Sequence, residues 1–160
     1  MSHGLLLVRE VPHYENAVED MALRIGNLRD TFYGRTWDVK SVPQAKNVAY
    51  TAQYLGLHMD LLYMSDPPGF QFLHCLQNTC EGGSSLFSDG FYAACQLSSE
   101  SFFSLTRDKI AYHYRNAGEY YYFEHPLIQI RPTGFKLASK AYIKRNLQFI
   151  NYSPPFQADQ

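Results

Sequence analysis

The chain has 160 residues, of which 46% are hydrophobic, 16% aromatic and 18% charged, and its formal net charge is -1. That length fits a single domain, and the near-balance of acidic and basic side chains argues against a disordered tail or a nucleic-acid-binding surface. No apolar run approaches the roughly 18 residues of a membrane span, so a soluble protein of the cytoplasm is the default expectation.

Gly4 to Val8 is a short apolar run closed by Arg9, Glu10 and then Pro12. It is too short and too soon interrupted for a secretory leader and reads as a buried strand already inside a domain. From Asn16 to Ile25, the residues Ala17, Val18, Met21, Ala22 and Ile25 fall on one helical face, and Gly26 stands where a C-terminal cap belongs. Val48 to Thr51, Phe70 to Leu76 and Ser85 to Ser88 carry the aliphatic and aromatic enrichment of strands. Asp66-Pro67-Pro68-Gly69 and Glu81-Gly82-Gly83 supply turns between them. Helices are expected over Gly90 to Leu97 and Ser101 to Leu105, followed by strands at Ile110 to Tyr114, Tyr120 to Phe123, Leu127 to Ile130 and Leu147 to Ile150. Many strands with a few peripheral helices point to a mostly β sandwich or jelly roll. Cys75, Cys80 and Cys95 are odd in number and lack CxxC spacing, which argues against a disulfide framework and a structural zinc site.

With 13 tyrosines, 11 phenylalanines and one tryptophan, the chain has enough rings to line a pocket as well as fill a core. His58-Met59-Asp60 is the first constellation with chemical content. In an extended segment, residues two apart project from one face, so an imidazole and a carboxylate here can converge on one metal ion. Two histidines and one carboxylate on one face of the metal form the open triad of non-haem Fe(II) sites. The competing reading is a solvated histidine beside a turn aspartate. His74, inside an apolar run, reads as a hydrogen-bonded interior histidine, and Tyr120, Tyr121 and Tyr122 as a strand with both faces partly covered.

The order of motifs around that tripeptide carries a resemblance. Thr31-Phe32-Tyr33-Gly34-Arg35-Thr36-Trp37 and Asn47-Val48-Ala49-Tyr50-Thr51 precede it, and Pro67-Pro68-Gly69-Phe70-Gln71-Phe72-Leu73-His74-Cys75 and Gly82-Gly83-Ser84-Ser85-Leu86-Phe87-Ser88-Asp89-Gly90-Phe91 follow. The sequence from about Gly4 to the C-terminus resembles the gamma-butyrobetaine and trimethyllysine dioxygenase branch of the taurine dioxygenase superfamily, on the gamma-butyrobetaine side of it. The resemblance implies a double-stranded β-helix and a dioxygenase dependent on Fe(II) and 2-oxoglutarate, hydroxylating an unactivated C–H of a small quaternary-ammonium substrate such as gamma-butyrobetaine. It makes His58 and Asp60 metal ligands, Tyr33, Trp37 and Tyr50 walls of an aromatic cage, and Asn47 a contact of the substrate carboxylate. Ser85 matches a hydroxyl near the distal carboxylate of 2-oxoglutarate, and a tight glycine-serine turn is the alternative there. Ring faces suit a cation that has no hydrogen to donate, at about 0.5 to 2 kcal/mol per ring. Leu61 stands where the family often has a tyrosine, and Tyr63 is the candidate replacement.

The family completes its site with a second histidine in a late segment that also supplies the arginine pairing with 2-oxoglutarate, and that segment is not recognised in this sequence. The expectation is therefore a partial catalytic domain over residues 1–160, a jelly roll incomplete at its C-terminus, with His113 and His125 the only internal substitutes for the missing ligand. An open sheet edge would favour self-association. Three rival readings follow: a truncated, catalytically inactive fragment acting at most as a binding or interaction module, a trimethyllysine dioxygenase-like enzyme, and a cupin-type metal protein without 2-oxoglutarate dependence.

Overall fold

The structure is a computed structural model that describes residues 4–40, 55–79, 81–116, 118–131 and 145–158. Its residues cluster into two compact units, one of Met1–Lys40 with Pro68–Ser85 and one of Ser41–Pro67 with Leu86–Gln160. The strand expected at 48–51, together with Asn47, Tyr50 and Cys80, lies outside the described residues.

In the first unit, helix α1 spans Ala17–Leu23, close to the expected range. Ala17 and Ala22, on the predicted apolar face, are buried, while Ile25 lies beyond the helix and is exposed. The amides of Ile25 and Gly26 both donate to Ala22 O and close the last turn. Residues 4–8, 70–76 and 85–88 do not form strands. Leu6, Leu7, Phe70, Leu73, Leu86 and Phe87 are all more than 60% exposed. An apolar run becomes a strand only when another segment takes up its backbone N–H and C=O groups, and these segments have no ladder partner among the described residues. His74 differs from expectation too, being half-buried with an enclosed Nδ1 that has no partner among the described residues.

The second unit carries the other helices and the strands among the described residues. Helix α2 spans Gly90–Gln96 and α3 spans Ser99–Arg107. Each begins at a side-chain cap: Asp89 Oδ1 accepts from the Tyr92 amide at 2.9 Å, and Ser98 Oγ from the Ser101 amide at 3.1 Å. Such bonds satisfy donors that the first helical turn otherwise leaves unpaired. Strands β1 (Lys109–Asn116) and β2 (Glu119–Pro126) form an antiparallel hairpin with Lys109 opposite Pro126 and Asn116 opposite Glu119. Strands β3 (Ile128–Ile130) and β4 (Leu147–Ile150) form a second antiparallel pair, Ile128 opposite Ile150, with a bulge between Gln129 and Ile130.

The core lies between α2, α3 and the β3–β4 pair. Ala94, Cys95, Phe102 and Ile128 are buried together, with Leu105, Leu127, Ile130, Leu147 and Ile150 packed around them. Gly90 lets the start of α2 lie on β4, because a Cβ there would stand 3.3 Å from two carbons of Ile150. Cys95 is thus a core thiol, and Cys75 is exposed. Tyr120 and Tyr122 of β2 are also exposed, so one side of the hairpin is less covered than expected. The antiparallel strands and few helices fit a mostly β protein, and no helix among the described residues is long and apolar enough to cross a membrane.

Candidate functional site

His58 and Asp60 lie on an irregular segment of the second unit that is held in three ways. The Met59 amide donates to Tyr152 O at 2.7 Å. Leu61 takes a positive φ of 62°, turning the chain immediately after Asp60. Leu61, Leu62 and Tyr63 are then buried, and the Met64 amide donates back to Leu61 O at 3.0 Å. An apolar tripeptide anchored in the interior therefore fixes the residues just before it at the rim.

His58 Nδ1 lies 2.7 Å from Gly56 O, and a carbonyl only accepts, so Nδ1 carries the proton. Nε2, on the far side of the ring, faces Asp60 Oδ1 at 3.3 Å. A lone pair facing a carboxylate oxygen is repulsive unless a cation or a proton lies between them. First-row divalent ions bind imidazole nitrogen and carboxylate oxygen at about 2.0–2.2 Å, so two such donors on neighbouring positions of one ion stand about 3 Å apart. The pair fits that requirement. The Gly56 carbonyl also supplies the outer hydrogen bond that orients a ligating histidine. Among the described residues, no group of three or more His, Cys, Asp or Glu side chains is placed to hold a metal ion. His125 is committed elsewhere: it is buried, and its Nε2 lies 2.9 Å from Met64 O, which only accepts. His113 is half-buried on β1, opposite Tyr122.

Of the expected cage residues, Tyr33 and Trp37 lie in the first unit and are brought together. Their ring centroids are 5.1 Å apart at an interplanar angle of 25°, and Phe32 packs on Tyr33 at 4.0 Å. The stack is built on a tight turn in which Thr31 and Gly34 exchange backbone hydrogen bonds and Thr31 Oγ1 donates to Gly34 O at 2.8 Å. Gly34 has φ +104°, and a Cβ there would lie 3.2 Å from Thr36 O, so glycine suits this position. Trp37 remains 39% exposed, leaving ring surface open to a ligand. Arg35 pairs with Glu19 at 3.5 Å and Asp30 at 3.9 Å, surface contacts of little energetic weight. Ser85 is exposed on an irregular stretch of the same unit, after Gly82 and Gly83, which both have positive φ.

Tyr63, the candidate replacement for the tyrosine absent at Leu61, is 4% exposed and packs among Tyr114 at 5.2 Å, Tyr121 at 6.3 Å and Phe156 at 6.2 Å. Phe156 also meets the His58 ring edge-on at 6.2 Å. The sequence gives no local signal for Phe156, Tyr152, Tyr112 or Asn151, which approach the pair from far along the chain. Tyr112 is fully buried, burial pushes its phenol up to about 12, and it donates to Asn151 O at 2.5 Å.

Comparison with known proteins bears on the whole chain. It is 45% identical over 163 aligned residues to "Dioxygenase str8" of Strobilurus tenacellus, an alignment covering 97% of this chain and 36% of that protein. It is 41% identical to "Trimethyllysine dioxygenase, mitochondrial" of Mus musculus over 59% of this chain and 23% of the relative. To "Gamma-butyrobetaine dioxygenase" of Pseudomonas sp. (strain AK-1) it is 43% identical over 61% of this chain and 26% of the relative. The chain thus spans about a third or less of the length of each of these relatives. Residues 1–159 match the family described as "Taurine catabolism dioxygenase TauD, TfdA family", and the chain belongs to that family of oxygenases.

Proposed function

We propose that the chain is part of the catalytic domain of an Fe(II)- and 2-oxoglutarate-dependent dioxygenase that hydroxylates a trimethylammonium substrate. The observation that carries this reading is the His58 Nε2 to Asp60 Oδ1 separation of 3.3 Å, with Nδ1 held by the Gly56 carbonyl. Members of the family generally use Fe(II) and 2-oxoglutarate. In this reading His58 and Asp60 are two of the metal ligands. Asp60 offsets part of the cation's charge, and Gly56 holds the ring with Nε2 turned toward Asp60. Iron and 2-oxoglutarate, when bound, supply the oxygen activation and oxidising power that no side chain has. Ser85 offers a hydroxyl to the distal carboxylate of 2-oxoglutarate. Tyr33, Trp37 and Tyr50 supply ring faces for the ammonium group, and Asn47 binds the substrate carboxylate. The intact catalytic domain is read as a double-stranded β-helix that includes the two antiparallel pairs.

Relatives named for gamma-butyrobetaine and for trimethyllysine are 43% and 41% identical over similar shares of the chain. Both substrates carry a trimethylammonium group, and we take gamma-butyrobetaine as the first of them to try because of the Tyr33-Gly34-Arg35-Thr36-Trp37 segment.

The test is succinate release from the purified protein with Fe(II), 2-oxoglutarate and either substrate. Release that needs all three components and falls to background in His58→Ala is the expected result. Trp37→Leu should raise the KM for the trimethylammonium substrate and leave that for 2-oxoglutarate unchanged. Binding of a trimethylammonium ligand without turnover would favour a binding module instead, and turnover independent of 2-oxoglutarate would favour a cupin-type metal protein.

A further inference from the structure

The segment carrying His58 and Asp60 has no ladder of its own, so something else must set the spacing of the pair. One stretch far along the chain, residues 151–158, touches it twice. Asn151 is 4% exposed and fixed by three hydrogen bonds. Its amide donates to Leu127 O at 2.8 Å, its Nδ2 donates to Pro126 O at 2.8 Å, and its carbonyl accepts from the Tyr112 hydroxyl. The next carbonyl, that of Tyr152, takes the amide of Met59, the residue between the two candidate ligands. Pro154–Phe156 then form a 3₁₀ turn closed by the Phe156 amide on Ser153 O at 3.0 Å. The two prolines restrict φ there. That turn sets the Phe156 ring against both the His58 edge and Tyr63. The far end is tied back to β1 by the Ala158 amide on Ala111 O at 2.9 Å.

Resting on the reading of His58 and Asp60 as metal ligands, we infer that residues 151–158 form a positioning strap that sets the geometry of the pair, with Phe156 and Asn151 as its positioning residues. The strap is anchored to β1 at both ends, through Tyr112 and Ala111. Between the anchors it pins the peptide at Met59 and limits rotation of the His58 ring. Neither Phe156 nor Asn151 donates to the metal. Each acts by lowering the number of arrangements from which the two donors must converge, and so by lowering the entropic cost of binding an ion.

The test is titration of the purified full chain with Co(II), followed by its visible absorption bands, in parallel with thermal unfolding. Wild-type binding that disappears in His58→Ala establishes the pair as the site. Phe156→Leu then weakens Co(II) binding by about 10-fold and alters the bands, and Phe156→Tyr, which restores a ring, recovers both. Asn151→Ala weakens binding in the same direction. Phe102→Leu, in the core of the same unit, lowers the unfolding temperature and leaves Co(II) affinity and bands unchanged. The strap is refuted if Phe156→Leu binds as wild type does, or if Phe102→Leu weakens binding as much for the same loss of stability. If the wild-type chain binds no Co(II) through His58, the metal reading itself fails and the strap falls with it.

Discussion

Replacing Tyr112 by phenylalanine keeps a ring that is 0% exposed and removes a single donor, the hydroxyl 2.5 Å from Asn151 O. The apolar burial is unchanged, so the cost is that of a buried carbonyl losing its partner, about 1–3 kcal/mol. Against a typical domain stability of about 5–15 kcal/mol, that is a large fraction. The same site makes the difference between the two proteins depend on pH. Burial raises the Tyr112 phenol from 10.0 to about 12, so the folded state keeps its proton longer than the unfolded chain does. Below pH 10 the group is neutral in both states and its contribution is complete. Between pH 10 and 12 the unfolded chain loses the proton first, and stability falls by up to about 1.4 kcal/mol per pH unit. Urea unfolding of wild type and Tyr112→Phe at pH 8, 9, 10 and 11 reads both effects, because other groups titrating there act on both proteins and cancel in the difference. Wild type should be the more stable at pH 8, with an advantage that shrinks above pH 10. Equal stability at pH 8, or a difference that stays constant to pH 11, would refute the assignment.

Three further substitutions probe local structure. Asp89→Ala removes the cap of α2 and should cost about 1 kcal/mol in urea unfolding, with Asp89→Asn retaining most of it. Ser153→Ala removes a hydroxyl that is fully buried and has no partner among the described residues, so it should leave stability unchanged or raise it by about 1 kcal/mol; a loss of that size would show that the hydroxyl is paired. Gly34→Ala should destabilise the Thr31–Gly34 turn by about 1–2 kcal/mol, since alanine is strained at φ +104° and crowds Thr36 O, and a tryptophan fluorescence shift from Trp37 would report the disturbed stack.

Where structure depends on neighbours in sequence, reading the sequence came close. The buried face of α1, the positions of α2 and α3, and the residue types of β1, β2 and β4 all depend on near neighbours in the chain. The two-residue spacing of His58 and Asp60 is of the same kind, and their side chains stand 3.3 Å apart. The runs at 4–8, 70–76 and 85–88 have strand composition, and composition was not enough. A strand is a relation between segments, and no ladder partner is present among the described residues. The same limit explains why the sequence did not show that Tyr63, the candidate replacement for the tyrosine absent at Leu61, is buried.

Sequence by itself therefore determined the residue types of the candidate site, the pair at 58 and 60, the Tyr33 and Trp37 rings, and membership in an oxygenase family through the order of motifs. Only the tertiary structure decided what holds the pair in place. The Met59 amide reaches Tyr152, and the His58 ring reaches Phe156, across some ninety residues of chain. Such contacts obey no local period. Tyr112 and Asn151 bury a hydrogen bond that fixes the later stretch to β1, and a buried donor finds its acceptor by position in space, whatever the distance along the chain.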